Sequence, residues 1–425
     1  MKVNSNIKIA VAAALFGVAC QSQAAGFALI EQSASGMGNA YAGGGAVAED
    51  ASTIFFNPAG MTYLQGTQLV SALHLIKPNA DFKNKGSVAG LGKPLGDEGP
   101  DAGDLAFVPN LYFKMDVNEN VKLGIGVNAP FGLKTEYDDQ WMGRFQADKS
   151  EFKTVNINPA IAFKVNDQLS LGLGLSAMWA QAELSKVVNA GALGERHVTV
   201  KGDDWGFGFN LGGIYQATAD TRFSVAYRSK IDQHLDGDSR STLTALNAIP
   251  NRTLNANVKA DVTLPESFSV SAFSHLNDRW DVMGDITWTR WSQFKELKIV
   301  RDNGTILGTI TPENWENTMR YSLGVNYRYS DAVKLRAGLA YDEEAISDKF
   351  RTARIPGNDR KWLALGANWK VSPQSSFDIG YAHLFISDAK IDDDQNTVAL
   401  GAAGTLRGEY EGSVDILSLQ YTHNF

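Results

Sequence analysis

The stretch "QLSLGLGLSAMWAQ", residues 168–181, alternates large apolar side chains with small or polar ones. Leucine, alanine and tryptophan occupy the odd-numbered positions from 169 to 179, whereas glycine and serine fill the even-numbered positions from 170 to 176. Because successive side chains of a β-strand point to opposite faces, this period of two predicts a strand with one apolar face. The alternation recurs in "MRYSLGVNYRYS" (319–330) and in the C-terminal "ILSLQYTHNF" (416–425). The chain is therefore expected to be all-β.

The lengths of the connections between strands decide the architecture, because a soluble β-sandwich would alternate in the same way. Short connections rich in Asn, Asp or Pro alternate along the chain with longer connections. Short turns at one rim and long loops at the other are typical of an outer-membrane barrel. We count fourteen antiparallel strands in residues 67–425, an even number that brings both ends of the barrel to the periplasmic rim. The short connections are 116–120, 165–168, 218–221, 276–279, 329–332 and 372–375, and the long ones are roughly 85–103, 138–150, 188–202, 236–256, 303–312, 343–359 and 392–406.

The first residues predict a secretory signal peptide over residues 1–24. Lys2 precedes and Lys8 opens a short apolar run, and the small residues of "SQA" end the segment at a cleavage position. Cleavage there makes Ala25 the mature N-terminus and removes Cys20, the one cysteine of the chain, so disulfides do not stabilise the mature protein. The alternative is a lipoprotein anchored at Cys20, which the preceding Gly-Val-Ala matches poorly. A net charge of −8 on an exported chain argues against nucleic acid as a partner.

Residues 25–66 differ from the rest of the mature chain, because they are rich in Gly and Ala and show no regular period. A barrel of about fourteen strands has a lumen wide enough to be filled or to hold a water channel. We expect this segment to fill the lumen as a hatch, with Asn57, Pro58 and Ala59 forming a tight turn and glycines permitting close packing. A flexible periplasmic tail is the alternative. Large apolar residues, which a tail would leave in water, favour the hatch: Phe27, Leu29, Ile30, Met37, Tyr41, Ile54, Phe55 and Phe56.

Several motifs of the mature chain resemble one known family. "AGFALIEQSASGMGNAYAGGGAVAEDAS", which begins at Ala25, and the following "NPAG" look like the mature start of the FadL long-chain fatty acid transporter family. The resemblance implies a fourteen-stranded barrel plugged by an N-terminal hatch, which crosses the outer membrane of a Gram-negative cell many times and takes up hydrophobic molecules. The likeness continues in "GDDWGFGFNLGGIYQ" (202–216), "LPESFSVS" (264–271), "TRWSQFKELK" (289–298) and "IPGNDRKWL" (355–363).

The resemblance also implies the partners of the protein. They are a long-chain fatty acid or another hydrophobic small molecule, together with outer-membrane lipid and lipopolysaccharide. We expect a monomer that needs no cofactor and no metal ion.

A fatty acid pairs an apolar tail with a carboxylate, so its pocket requires apolar walls and a cation. The resemblance implies that two basic residues bind the carboxylate, at the positions of Lys186 and Lys298. Counting from an outward Trp179, the period of two places Lys186 on the lumenal side. Counting from an outward Trp288 places Lys298 on the lipid side, unless a bulge or the end of the strand intervenes. Both could instead be ordinary solvated charges near the rim.

The third strand, "VKLGIGVNAPFGLKTEY" (121–137), carries a candidate opening in the barrel wall. Pro130 lacks the N–H that a ladder requires and Gly132 permits a kink, so a strand with neighbours on both sides should avoid both residues. The resemblance implies a kinked third strand here, through which the ligand leaves sideways when the hatch around Asn57 to Ala59 shifts. The alternative is a plain bulge near the rim. By their position, the long loops at 188–202 and 236–256 resemble the pair that first captures the ligand.

Three other functions compete with fatty acid uptake. An enzyme would require a nucleophile and a base, but the six histidines lie on different segments, outside any Ser-x-Gly turn or His-Glu-x-x-His motif. A general porin would require an open lumen, which the apolar N-terminal segment opposes. A channel of the same family for monoaromatic hydrocarbons or alkanes remains open, although two lysines favour a carboxylate. We therefore predict a fatty acid channel that is not an enzyme.

Overall fold

The computed structural model describes residues 26–189, 191, 194–243, 256–394 and 403–425. The predicted signal peptide lies outside the described residues. Within them, most of the chain forms β-strands that join into one antiparallel sheet. In chain order the strands are β1 (Gln68–Asn84), β2 (Ala106–Asp116), β3 (Val121–Asn128), β4 (Gly132–Glu136), β5 (Lys149–Lys164), β6 (Leu169–Asn189), β7 (Glu195–Gln216), β8 (Thr221–Arg228), β9 (Ile231–Leu243), β10 (Ala256–Leu264), β11 (Ser267–His275), β12 (Trp280–Thr289), β13 (Glu296–Leu297), β14 (Ile299–Arg301), β15 (Thr311–Pro312), β16 (Thr318–Arg328), β17 (Val333–Asp342), β18 (Arg360–Lys370), β19 (Ser375–Ile386), β20 (Ala389–Asp394) and β21 (Thr405–Asn424).

The sheet closes on itself, because β1 pairs with β21 along its whole length, from Gln68 opposite Asn424 to Asn84 opposite Gly408. Within the described ranges the wall has fourteen strands, five of which consist of two segments: β3 with β4, β8 with β9, β10 with β11, β12 with β14, and β19 with β20. Closure pairs the polar main-chain groups that an open edge would expose to lipid. The predicted fourteen-stranded antiparallel barrel is confirmed.

The predicted alternation separates a lipid face from a lumenal face. On β6, Met178 and Ala180 are completely buried inside the barrel, whereas Leu175 on the outer face is 58% exposed. Two predicted boundaries are wrong. β9 continues to Leu243, inside the loop expected at 236–256. β6 continues to Asn189 and β7 begins at Glu195, so most of the loop expected at 188–202 is paired strand. The two segments pair as a long hairpin, which extends the wall beyond the rim that the sequence pattern indicated.

The hatch, residues 26–66, packs against the inner faces of the strands. It contains three short helices within the described residues, α1 (Ala34–Met37), α2 (Gly44–Val47) and α3 (Thr53–Phe56), followed by a 3₁₀ turn from Pro58 to Tyr63. Its small residues are required by close packing: a Cβ on Gly38 would lie 3.0 Å from the Cα of Gly366 in the wall. In the part of the chain that is described, no helix is long and apolar enough to span a membrane.

Candidate ligand-binding site

The third strand of the wall is broken between β3 and β4. Residues 111–116 of β2 pair with β3, but no described strand pairs with residues 106–110 of β2 on the side where β4 lies. β4 instead pairs only with β5, from Gly132 opposite Lys153 to Glu136 opposite Lys149. Pro130 lies inside the break. Because no strand ladder runs there, the N–H that proline lacks is not required for pairing. The ladder between the second and third strands is therefore open over this length.

The N-terminal arm of the hatch supplies the hydrogen bonds that the break removes. The N–H of Leu29 donates to the carbonyl of Pro130 at 2.8 Å, and the N–H of Gly132 donates to the carbonyl of Phe27 at 2.9 Å. The side chain of Gln32 donates to the carbonyl of Ala129 at 3.1 Å. Unpaired main-chain groups are strongly unfavourable in an apolar wall. Residues 27–32 therefore complete the wall from inside.

Phe27 anchors this arm in a cluster of aromatic rings. Its ring centroid lies 4.9 Å from that of Trp291, 5.2 Å from that of Phe152 and 6.1 Å from that of Phe131. The chain reaches this cluster through a slot in which only glycine fits, because a Cβ on Gly26 would lie 2.7 Å from the ring of Trp291. The "WSQF" motif of the sequence thus packs against Phe27, near the N-terminal end of the hatch.

A cavity of about 170 Å³ lies between this arm and the wall. Most of its lining is apolar or aromatic, and two arginines, Arg228 and Arg320, face it. Arg228 donates to the carbonyl of Phe55 at 2.8 Å, and its guanidinium lies 4.2 Å from the centroid of the Phe55 ring. The lining residues are Ala28, Leu29, Ile30, Phe55, Phe56, Pro130, Phe131, Asn210, Ala226, Tyr227, Arg228, Pro265, Ser267, Ser269, Thr287, Thr289, Trp291, Thr318, Arg320 and Asp342.

The two lysines expected from the sequence lie elsewhere among the described residues. Lys186 is half-buried near the extracellular end of β6, where the charges of Arg354 and Asp393 act on it. Lys298 is exposed between β13 and β14. Because the long strand β12 ends at Thr289, the parity argument for Lys298 does not apply. Neither lysine lines the cavity of about 170 Å³.

Arg354 is a basic residue near Lys186 that no sequence motif singled out. The loop that carries it folds inward, and its guanidinium donates to the carbonyl of Lys149 at 3.0 Å and to the hydroxyl of Ser150 at 2.9 Å. Glu313, on another loop, interacts electrostatically with Arg354, and burial raises the pKa of this carboxyl to about 7. The extracellular part of the lumen therefore holds charges of both signs.

The "NPAG" motif fastens the centre of the hatch to the wall. Asn57 accepts a hydrogen bond from the N–H of Ala59 at 3.1 Å, which caps the 3₁₀ turn that begins at Pro58. The side-chain amide of Asn57 donates to the carbonyl of Gly45 at 2.9 Å and to that of Gly213 on β7 at 3.3 Å. One side chain thus joins two parts of the hatch to the barrel.

Comparison with known proteins gives the same architecture. The chain matches a family model described as outer membrane protein transport protein (OMPP1/FadL/TodX) over residues 15–425. It is 30% identical to the long-chain fatty acid transport protein of Escherichia coli O6:H1, covering 92% of this chain and 94% of the relative. A solved Pseudomonas aeruginosa FadL homologue is 25% identical, with a TM-score of 0.86 over 94% of this chain and 100% of that chain.

A further solved structure shares the fold. The toluene transporter TbuX of Ralstonia pickettii is 17% identical, with a TM-score of 0.65 over 94% of this chain and 99% of that chain. The family match spans the closed barrel, the hatch and the broken third strand alike. Members of the family are transport channels and not enzymes. The chain belongs to the OMPP1/FadL/TodX family, the FadL-type transporters of hydrophobic substrates in the outer membrane of Gram-negative bacteria, which it crosses many times as a fourteen-stranded barrel.

Proposed function

We propose that the protein takes up long-chain fatty acids across the outer membrane. The observation that carries the proposal is the lumenal cavity, which joins apolar walls to the buried, cavity-facing Arg320. Burying the tail of a fatty acid stabilises it by about 0.8 kcal/mol per CH₂, and its carboxylate prefers a cation. The fatty acid transport protein of Escherichia coli that is 30% identical to the chain supports the same substrate class.

The ligand enters from the extracellular loops. Lys186, together with Arg354, attracts the carboxylate at the upper end of the lumen. Lys298, which is exposed, adds a screened charge on the approach. The loop 236–256, expected to take part in the first capture, lies mostly outside the described residues.

The ligand leaves sideways through the broken third strand, between Pro130 and Gly132. A passage straight into the periplasm would expose the tail to water and lose about 0.8 kcal/mol for each CH₂. The break opens when residues 27–32 withdraw from it and the hatch shifts around Asn57, Pro58 and Ala59. This route supports a transporter whose wall is sealed only while the hatch is in place.

Two other cargoes follow from the same architecture. A neutral monoaromatic hydrocarbon or alkane would fill the apolar part of the cavity but would offer no hydrogen-bond acceptor to Arg320. Small polar solutes, the cargo of a general porin, would require an open lumen, whereas the hatch packs its buried Met37 and Ile54 there. The cavity therefore favours a ligand with one acidic end.

The barrel is proposed to act as a monomer in direct contact with lipid, because its sheet closes on itself. Above the apolar belt, the outer face carries Lys149, Lys153 and Lys201, paired with Glu151 and Glu183. This charged band is placed to meet the phosphate groups of lipopolysaccharide.

The test is ligand extraction and competitive binding. Purified protein from cells is extracted with solvent, and mass spectrometry identifies what it carried. Refolded protein is then titrated with a long-chain fatty acid, the alkane of equal length and toluene. We expect fatty acids in the extract and tightest binding of the fatty acid. Equal or tighter binding of the neutral ligands would reject the fatty acid assignment in favour of a hydrocarbon channel.

A further inference from the structure

A row of charged residues crosses three neighbouring strands on the lumenal face. Arg320 of β16 lies opposite Asp342 of β17, which in turn lies opposite Arg360 of β18. Arg320 is 6% exposed and Arg360 is 1% exposed, so both guanidinium groups are removed from bulk water. Arg360 approaches its carboxylates only at ion-pair distance, 3.7 Å to Asp342 and 3.6 Å to Glu344.

Arg320 has hydrogen-bonding capacity to spare. One of its terminal nitrogens donates to the carbonyl of Ala40 in the hatch at 2.8 Å. Its Nε and its other terminal nitrogen have no hydrogen-bond partner among the described residues, although both are buried. Buried charged donors without partners are strongly unfavourable. Arg320 lines the cavity, so a ligand carboxylate that reaches these donors would supply the acceptors that they lack.

The hatch brings a carboxyl group of its own to this row. Glu31 follows the cavity-lining Leu29 and Ile30, is 1% exposed, and has an Oε2 without a hydrogen-bond partner in the described structure. Burial raises the pKa of Glu31 to about 7, while the positive charges of Arg360 and Arg320 oppose that rise. Asp342, also in the row, opposes ionisation of Glu31, and the charge of Glu31 acts in turn on Tyr41 of the hatch. Glu31 is therefore a carboxyl group of the hatch on which the charges of Arg320 and Arg360 act.

We propose that the carboxylate of the incoming fatty acid binds Arg320 in competition with Glu31, and that this exchange releases the hatch arm. The inference rests on the proposed function, and it identifies the event that releases the hatch arm during transport. Glu31 belongs to residues 27–32, the segment whose hydrogen bonds seal the break in the third strand. A ligand carboxylate that takes over the arginine charges leaves Glu31 buried without compensation, so Glu31 takes up a proton or moves with the arm. Either response weakens the seal at Pro130 and Gly132.

The exchange predicts a pH dependence of binding. Because the raised pKa leaves Glu31 ionised above about pH 7 and neutral below it, the competitor disappears as the pH falls. Binding of an anionic ligand should tighten about tenfold from pH 8 to pH 6, because the protonated fraction of a group with a pKa of about 7 rises from about 0.09 to about 0.9 over this range. An alkyl sulfonate of equal chain length serves as the probe alongside the fatty acid, because it stays ionised throughout this range.

The test compares wild-type protein with Glu31→Gln, which keeps the shape of the side chain and removes its charge. At pH 8 we expect Glu31→Gln to bind the sulfonate as tightly as wild type does at pH 6, and to show a flat profile between the two. A profile in Glu31→Gln that parallels the wild type would overturn the inference. If wild type binds neither fatty acid nor sulfonate at any pH, the proposed function itself fails. The two failures are thus distinguishable.

Arg320→Met provides a second arm. It should weaken binding of the fatty acid about 10- to 100-fold while sparing the fatty alcohol of equal length. Arg222→Met is the matched control, since Arg222 also faces the lumen and donates to the hatch carbonyls of Ala46 and Val47 but does not line the cavity. Equal losses in the two variants, or equal losses for acid and alcohol in Arg320→Met, would overturn the role of Arg320. Folding of each variant is checked by its heat-dependent mobility on a gel.

Discussion

Ala28 of the hatch lies directly opposite Phe131 of the wall, as an antiparallel pair flanked by the hydrogen bonds from Leu29 to Pro130 and from Gly132 to Phe27. Both bonds belong to neighbouring residues, so Ala28 and Phe131 form a non-hydrogen-bonded pair, whose side chains approach closely. Thr154 of β5 holds the wall side of this pair: its hydroxyl accepts from the N–H of Phe131 at 3.1 Å and donates to the Phe131 carbonyl at 2.6 Å. The contact that closes the break thus joins Ala28 of the hatch arm to Phe131, which Thr154 holds in the wall.

Cross-linking this pair should stop transport. Cα atoms of such a pair lie about 4.5 Å apart, which a disulfide can span. In the double variant Ala28→Cys, Phe131→Cys, we expect fatty acid uptake by cells to be lost under oxidising conditions and restored by a reductant. The predicted mature chain is free of other cysteines, so no competing disulfide forms.

Each single cysteine variant is the control and should transport fatty acids with or without reductant. Mass spectrometry after thiol labelling confirms that the disulfide has formed. Undiminished uptake by the oxidised double variant would show that the ligand passes without movement of the arm.

Filling the break should also block exit. Gly132→Arg places a long charged side chain where β4 begins, in the open part of the ladder. Since Gly132 is not among the residues that line the cavity, we expect uptake to fall to background while fatty acid binding by purified protein is retained. Uptake of a radiolabelled fatty acid and equilibrium binding measure the two.

The matched control for this variant is Gly132→Ala. Gly132 is absent from the residues with positive φ in the described chain, so alanine fits its backbone conformation. This variant should transport normally. Normal uptake by a correctly folded Gly132→Arg protein would place the exit elsewhere in the wall.

The two lysines should contribute unequally to ligand capture. Lys186 is half-buried beside Arg354, so Lys186→Met should weaken fatty acid binding by about 1.5–3 kcal/mol through loss of a charge-assisted contact. Lys298 is exposed, and solvent screening should limit Lys298→Met to a fraction of that loss. The alkane of equal length should bind both variants and their combination as it binds wild type. Equal losses for acid and alkane would mean that the lysines act on the fold.

The periplasmic half of the hatch should be anchored by Arg336. Its guanidinium donates to Asp378 on β19 at 2.7 Å and to Glu49 of the hatch at 2.7 Å, and Lys334 also pairs with Glu49. Arg336→Met leaves the buried Asp378 uncompensated, so we expect a loss of about 3–5 kcal/mol in the free energy of unfolding. Conversion of the folded to the unfolded gel band in urea measures it. Lys370→Met, an exposed charge on β18, is the control and should change stability by less than about 0.5 kcal/mol.

Acid should break the link between Arg336 and Glu49 only at low pH. Burial disfavours the charged form of Glu49, but the charges of Arg336 and Lys334 outweigh it and hold its pKa well below the ordinary value. A depressed pKa means that this stabilisation is present above about pH 4.5 and is lost as the pH falls below it. We expect protease sensitivity of the part of the hatch around Glu49 in wild type to rise only below that pH. A rise between pH 6 and pH 8 would point to another group.

The period-two alternation of the sequence determined the strands, and the short turns that take alternate places with long loops determined that the strands form a barrel. Within a strand, local geometry decides which side chains face lipid, such as Leu171, and which face the lumen, such as Met178. The short turns set the order of the strands. The signal for Arg320 was also present, since "MRYSLGVN" places it on the polar, inward face with Ser322. The sequence did not reveal the role of Arg320, because it does not show which inward polar residues find hydrogen-bond partners.

Only the tertiary structure decided how the hatch and the wall complete each other. The bond between Leu29 and Pro130 joins residues that share no local pattern, and the row of Arg320, Asp342 and Arg360 exists because register aligns three strands. The boundary of β6 at Asn189 likewise depends on its pairing with β7, which the composition of residues 188–202 does not reveal. Local sequence sets which face a side chain takes, whereas long-range pairing sets which side chains meet. The candidate site consists of such long-range contacts.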